Sequence, residues 1–203
     1  GFFKMSCRGS QYWDGDTIRS ETEVRQRLSG LNGYIITEFC HPHHDLRRVC
    51  ADAPCVLRVV TICDDVDGAQ LTASCLRIGT KVSGHITDYD GTIFCGVTLD
   101  EGEWFRPLMA TADNTVLVNC DAHPDTGARI AGSVPHWKLI AAEVIKISNY
   151  LNCTPYLTYD VVSTDDGFKI LEINSHGMLR IMQPFYPFFR NQYTRRLFAG
   201  SVL

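Results

Sequence analysis

No segment restricts the fold of this chain as tightly as residues 159–174, where two β-rich runs flank Asp165-Asp166-Gly167. Val161, Val162, Ile170 and Ile173 are β-branched and a glycine sits in the break, so the segment reads as an antiparallel hairpin. With Asp165-Asp166-Gly167 as a three-residue loop and Gly167 at the position needing positive φ, Thr164 pairs with Phe168. Counting back sets Asp160 opposite Glu172, with Asn174 on the same face. Facing carboxylates repel, and a hard cation removes the repulsion. Two carboxylates and an amide oxygen suit Mg2+. The competing reading is a solvent-facing strand edge with its charges splayed. A one-residue change in the loop would put Asp160 and Glu172 on opposite faces.

Upstream, residues 2–6 read as a short strand. Ser20 and Glu23 have the spacing of a capping box, which predicts a helix over 21–28 that Gly30 and Gly33 stop. Residues 34–39 are β-rich and 40–53 read as polar and irregular. Strand-like stretches follow at 56–62, 70–78, 82–87, 92–99 and 115–120, separated by turn signals such as Asp64-Asp65-Val66-Asp67-Gly68. The strongest helix covers 135–151, where Trp137, Ile140, Ala141, Val144, Ser148 and Leu151 form one stripe suited to core packing. The hairpin strands cover 156–162 and 168–174, and a last helix is expected near 191–198. Many strands, then a helix, then a hairpin imply an α+β fold.

A chain of 203 residues can form one domain or two small lobes around a cleft. The net charge of −4 argues against a nucleic-acid surface spread over the whole domain. No run of about 18 apolar residues offers a membrane span. Nine cysteines, an odd number with several inside apolar runs, point to reduced thiols in the cytoplasm. The chain does not begin with Met, which suggests a processed or trimmed piece with something upstream.

Arg58 lies between Leu57 and Val59 in an apolar strand, and Arg77 between Leu76 and Ile78. A buried arginine needs a partner. Its planar fork suits phosphate, or an internal salt bridge that could use one of the hairpin carboxylates.

Taken in order, these pieces resemble the ATP-grasp superfamily. Its paired-strand Mg2+ pattern, D/E followed by E-x-N, is matched by Asp160, Glu172 and Asn174. Phe3-Lys4 resembles the strand carrying the nucleotide-contacting lysine, and residues 6–15 the mobile phosphate loop, here with only Gly9 and Gly15. Ile36-Thr37-Glu38-Phe39 resembles the hinge that meets adenine and ribose, with Glu38 in the hydroxyl-binding place. The resemblance places Arg58 and Arg77 toward the phosphates as the catalytic cations. The nearest subgroup is the sugar-transfer-associated ATP-grasp proteins found with polysaccharide genes. His41-Pro42, His123-Pro124-Asp125-Thr126-Gly127 and Pro135-His136-Trp137 also resemble it, and it implies that the 123–127 loop and His176-Gly177 lie near acceptor substrate.

The resemblance implies two α+β lobes, 1–39 and 40–203, with ATP between them and Mg2+ as cofactor. It implies a ligase that activates a small-molecule or glycan-linked carboxylate as an acylphosphate for attack by an amine. Neither nucleic acid nor a membrane span enters this picture. The family's usual N-terminal substrate-side domain has no room before Lys4. A kinase on the same fold and a nucleotide-binding module without turnover remain open. So does a zinc-stabilised domain using Cys40, His41, His43, His44, Cys50 and Cys55, although their spacing lacks the paired-ligand pattern.

Overall fold

The computed structural model describes residues 2–6, 9–13, 20–29, 32, 35–50, 53–83, 90–111, 116–177 and 179–199, with 2–6, 9–13, 35–37 and 199 described by backbone alone. The chain divides into two compact units, 1–41 and 42–203.

The first unit carries an antiparallel sheet of three strands in the order β2-β1-β3, with β1 Phe2–Ser6, β2 Gly9–Trp13 and β3 Ile35–Glu38. Its helix α1, Glu21–Leu28, starts at Ser20, whose Oγ accepts from the Glu23 amide at 3.2 Å. The i,i+4 pairs Glu21–Arg25 and Glu23–Arg27 run along it. One expectation needs correction here. Residues 9–13 are not loop but strand, paired Lys4 to Gln11, because Gln-Tyr-Trp suits a pleated surface better than a phosphate loop. Residues 7–8 and 14–15 of that expected loop lie outside the described residues, as do Gly30, Gly33 and Tyr34.

The second unit is built on a seven-stranded antiparallel sheet. Its strands are β4 Cys55–Asp64, β5 Gly68–Ile78, β6 Ile93–Val97, β7 Trp104–Ala110, β8 Leu117–Asn119, β9 Tyr156–Thr164 and β10 Gly167–Asn174. The order β10-β9-β4-β5-β6-β7-β8 puts β9 between the edge strand β10 and β4. One face packs on α3, Trp137–Tyr150, and on α2, His44–Cys50. There Leu57, Val59, Leu76, Ile78, Tyr159 and Val161 meet Trp137, Ile140 and Val144. Ser148 reaches back from α3 and lies 2.6 Å from both Thr61 Oγ1 and the Tyr159 hydroxyl. The other face, with Val60, Ala73, Cys75 and Phe94, is covered by Ile181, Met182, Phe185 and Phe188 of the C-terminal segment. That segment ends in α4, Gln192–Ala199.

The α+β reading and most element positions hold, but two elements were not legible. Helix α2 occupies part of the stretch read as irregular. His43 caps it through Nδ1, which accepts from the Asp45 amide at 3.1 Å, and Leu46, Val49 and Cys50 bury one side. Strand β7 hides behind Pro107 and a positive φ of 49° at Arg106, both signals against a regular strand. Of the strand expected at 82–87, Lys81, Val82 and Ser83 form a turn and 84–89 lie outside the described residues.

Candidate functional site

Asp160 and Glu172 come to stand opposite each other by a route that loop geometry alone does not give. Thr164 pairs with Gly167, not Phe168, so the loop is one residue shorter than expected. The glycine at 167 accepts a φ of 133°. Taken alone, this register would separate Asp160 from Glu172. A β-bulge at Leu171, between the pairs Ile170–Val161 and Glu172–Asp160, inserts the missing residue and restores the opposition. Asn174 then lies across from Thr158.

Asp160 is the centre of the site. Arg58, its neighbour across β4, forms a two-pronged pair with it: Nε donates to Oδ1 at 2.8 Å and Nη2 to Oδ2 at 2.7 Å. Arg77 Nη2 reaches Oδ2 at 2.9 Å. The side chains of Arg58, Arg77 and Asp160 are only 11%, 12% and 10% exposed. Burial pushes the Asp160 carboxyl up, but the Arg58 hydrogen bonds and the two guanidinium charges outweigh it and leave it below its ordinary value. Burial is also the largest influence on Arg77 and draws its guanidinium down. Between the arginines, burial pushes the Cys75 thiol up to about 12 despite both cations, so it is no nucleophile at neutral pH. The internal salt bridge was one of the partners open to Arg58, and the structure shows it to be the one made.

On the outer side, Glu172 is exposed and Asn174 half-buried, and neither side chain makes a hydrogen bond or ion pair among the described residues. Their free oxygens fit a hard cation. Asp160 fits one less readily, because both of its oxygens already accept N–H donors. Of two neighbours, Thr158 escaped the sequence reading, and Gly177 was read only as lying near acceptor substrate. Thr158 is fully buried and its hydroxyl has no partner among the described residues, although alternation from Asp160 puts it on the same face. Gly177 passes so close that a Cβ there would overlap the Thr158 side chain, while its carbonyl accepts from the Tyr156 hydroxyl at 2.9 Å.

Other candidates lie elsewhere. In the first unit, Lys4 pairs with Ile36 and Phe2 with Glu38, and Thr37 pairs with Phe3. Glu38 is exposed and Phe39 half-buried, with its ring edge-on to His41. The 123–127 loop forms a brace. His123 is buried, Nδ1 accepts from the Asp125 amide, and Nε2 lies 2.9 Å from the Gly79 carbonyl. Thr126 donates to the Val49 carbonyl. His43, His44 and Asp165 bring ligand atoms within 4.8 Å of one another. Asp165 there is already taken by the His44 amide and ring and by Arg47 at 3.0 Å. The eight described cysteines are free thiols.

A family model described as sugar-transfer associated ATP-grasp matches residues 21–186, which is most of the chain and includes Arg58, Arg77 and the whole hairpin. No curated protein and no solved structure matches.

Proposed function

Because the chain belongs to the sugar-transfer associated ATP-grasp family, we propose that it is an ATP-dependent carboxylate–amine ligase whose phosphoryl-transfer machinery gathers around Asp160. The observation that carries this reading is the register of β9 with both of its neighbours, β10 and β4. It aligns Asp160 with Glu172 on one side and with two buried arginines on the other. Buried ion clusters add little net stability compared with apolar packing, so their presence in the sheet favours a chemical task.

In this reading Glu172 and Asn174, with Asp160, would hold Mg2+. The metal would supply charge neutralisation at the nucleotide phosphates. Arg58 and Arg77 hold the phosphoryl group in transit, since fixed cations in a dry site act on charge that develops during transfer. Lys4 and Glu38 hold the nucleotide, alongside Ile36, Thr37 and Phe39 of the hinge. The residues 1–39 serve as the nucleotide-clamping lobe and 40–203 as the metal-bearing lobe. The γ-phosphoryl group of ATP passes to a carboxylate oxygen of the acceptor, releasing ADP. An amine then attacks the acyl carbon of the acylphosphate, and phosphate leaves as the amide forms. No protein nucleophile enters, in keeping with the suppressed ionisation of Cys75. Modification of a glycan or peptide during polysaccharide assembly, in the cytoplasm, is the setting this chemistry suits.

The test is ADP release from the purified chain against a panel of carboxylates, each with and without a panel of amines. ADP release that needs both components supports the ligase. ADP release with a hydroxyl acceptor and no amine would make the chain a kinase. Tight ATP binding with no turnover on any pair would make it a binding module.

A further inference from the structure

Asp160 stands on the middle strand of three. Arg58 faces it from β4 on one side and Glu172 from β10 on the other, and strand neighbours lie about 4.8 Å apart. Its carboxylate is turned wholly to the arginine side, where it accepts three N–H donors. Among the described residues the salt bridges join two cations to one anion. Two guanidinium groups share one carboxylate, and the buried Nε of Arg77 has no hydrogen-bond partner among the described residues. A buried unpaired donor is costly, so this side of Asp160 is arranged to receive a second anion. On the opposite side Glu172 and Asn174 offer oxygens that no described residue uses.

We infer that Asp160 is a positioning residue that changes partners: it neutralises Arg58 and Arg77 in the resting protein, and swings toward Glu172 and Asn174 when phosphate takes the arginines. This inference rests on the reading of the site as a nucleotide-phosphate site. The exchange needs only a side-chain rotation on β9, and it never leaves the buried arginines without an anion, a state that would be strongly destabilising. It also couples two ligands. Without a cation, Asp160 keeps the arginines and repels incoming phosphate. With phosphate bound, the displaced carboxylate completes the oxygen set at Glu172. Each ligand therefore strengthens the other, as linkage requires.

The experiment is calorimetric titration of the full chain with inorganic tripolyphosphate in the presence of chelator, for the wild type, Asp160→Asn and Glu172→Gln. Asp160→Asn keeps the shape of the side chain but removes the competing charge. It is expected to bind metal-free tripolyphosphate at least about tenfold more tightly than the wild type. Glu172→Gln, which leaves the arginine pair untouched, is expected to match the wild type. No gain in Asp160→Asn would overturn the exchange. A separate titration of the wild type with Mg-ATP distinguishes the two claims. Binding there with no gain in Asp160→Asn sinks the exchange alone, and no binding sinks the phosphate reading and the exchange together. Should Asp160→Asn not fold, the Arg58 Nε–H resonance of the wild type decides. Mg-ATP is expected to shift it as its partner changes from carboxylate to phosphate, and Mg2+ alone is not. A resonance unmoved by bound Mg-ATP contradicts the exchange.

Discussion

The two faces of the seven-stranded sheet are made by the same strands and follow different rules. Along β4, Leu57 and Val59 join an apolar interior under α3, closed by the neutral hydroxyl chain Thr61–Ser148–Tyr159. One residue away in register, Arg58 points into a layer where apolar Val60 and Cys75 surround the Arg58–Asp160–Arg77 cluster. The first face buries mainly apolar and neutral groups that cost little to desolvate, although the Trp104 indole N–H packed against it has no partner among the described residues. The second buries charge and, among the described residues, leaves the Thr158 hydroxyl and the Arg77 Nε without a hydrogen-bond partner. The helix face is built for packing, and the opposite face is where the proposed chemistry lies.

Arg58→Ala gives the largest effect expected, because it strips the two-pronged partner from buried Asp160. Unfolding free energy should fall by about 3–5 kcal/mol in urea titration. A loss under about 1 kcal/mol would show the cluster open to water and blur the contrast between the faces. Ile140→Ala, beneath the sheet on α3, should cost about 2–5 kcal/mol through an apolar cavity. Its response to nucleotide should match that of the wild type, and a lost response would mean the faces are not separable. A smaller effect comes from pH. His43 is depressed below its ordinary value, chiefly by burial and then by His44, so the fold favours the neutral ring that caps α2. The unfolded chain then binds the extra proton. Stability is present above the unfolded value near 6.5 and falls as pH drops below it toward the folded value. His43→Asn, which can still cap, should remove this acid-side loss. Persistence of the same slope in His43→Asn would assign it to other groups.

Much of this contrast was legible in the residues. The stripe from Trp137 to Leu151 foretold the helix face, and arginines flanked by aliphatic residues foretold buried charge with a partner. The opposition of Asp160 and Glu172 was also foretold, but through a loop of the wrong length. A bulge at Leu171 made good the missing residue, and bulges leave no mark in hydrophobic alternation. Strand β7 was hidden because Pro107 and the turned-back Arg106 obey tertiary pairing with β6 and β8 rather than local propensity. Helix α2 was hidden because its cap is a histidine, a residue outside the usual N-cap set. A salt bridge to a hairpin carboxylate was among the readings open to the arginines, but the choice of Asp160 by both could not be made from sequence, since the strand pairing that joins residue 58 to residue 160 has no local signal.

The central claim is that the exposed edge of the charged face holds the metal that ATP needs. Its most direct test is the thermal midpoint of the chain with Mg-ATP, with ATP and chelator, with Mg2+ alone and with GTP, beside Glu172→Ala. Glu172 is exposed, so its removal should change intrinsic stability by less than about 0.5 kcal/mol. A ligand bound at 100 times its dissociation constant stabilises by about 2.7 kcal/mol. The account predicts a rise of that order with Mg-ATP that chelator removes and Glu172→Ala abolishes. A rise that survives unchanged in Glu172→Ala would contradict it.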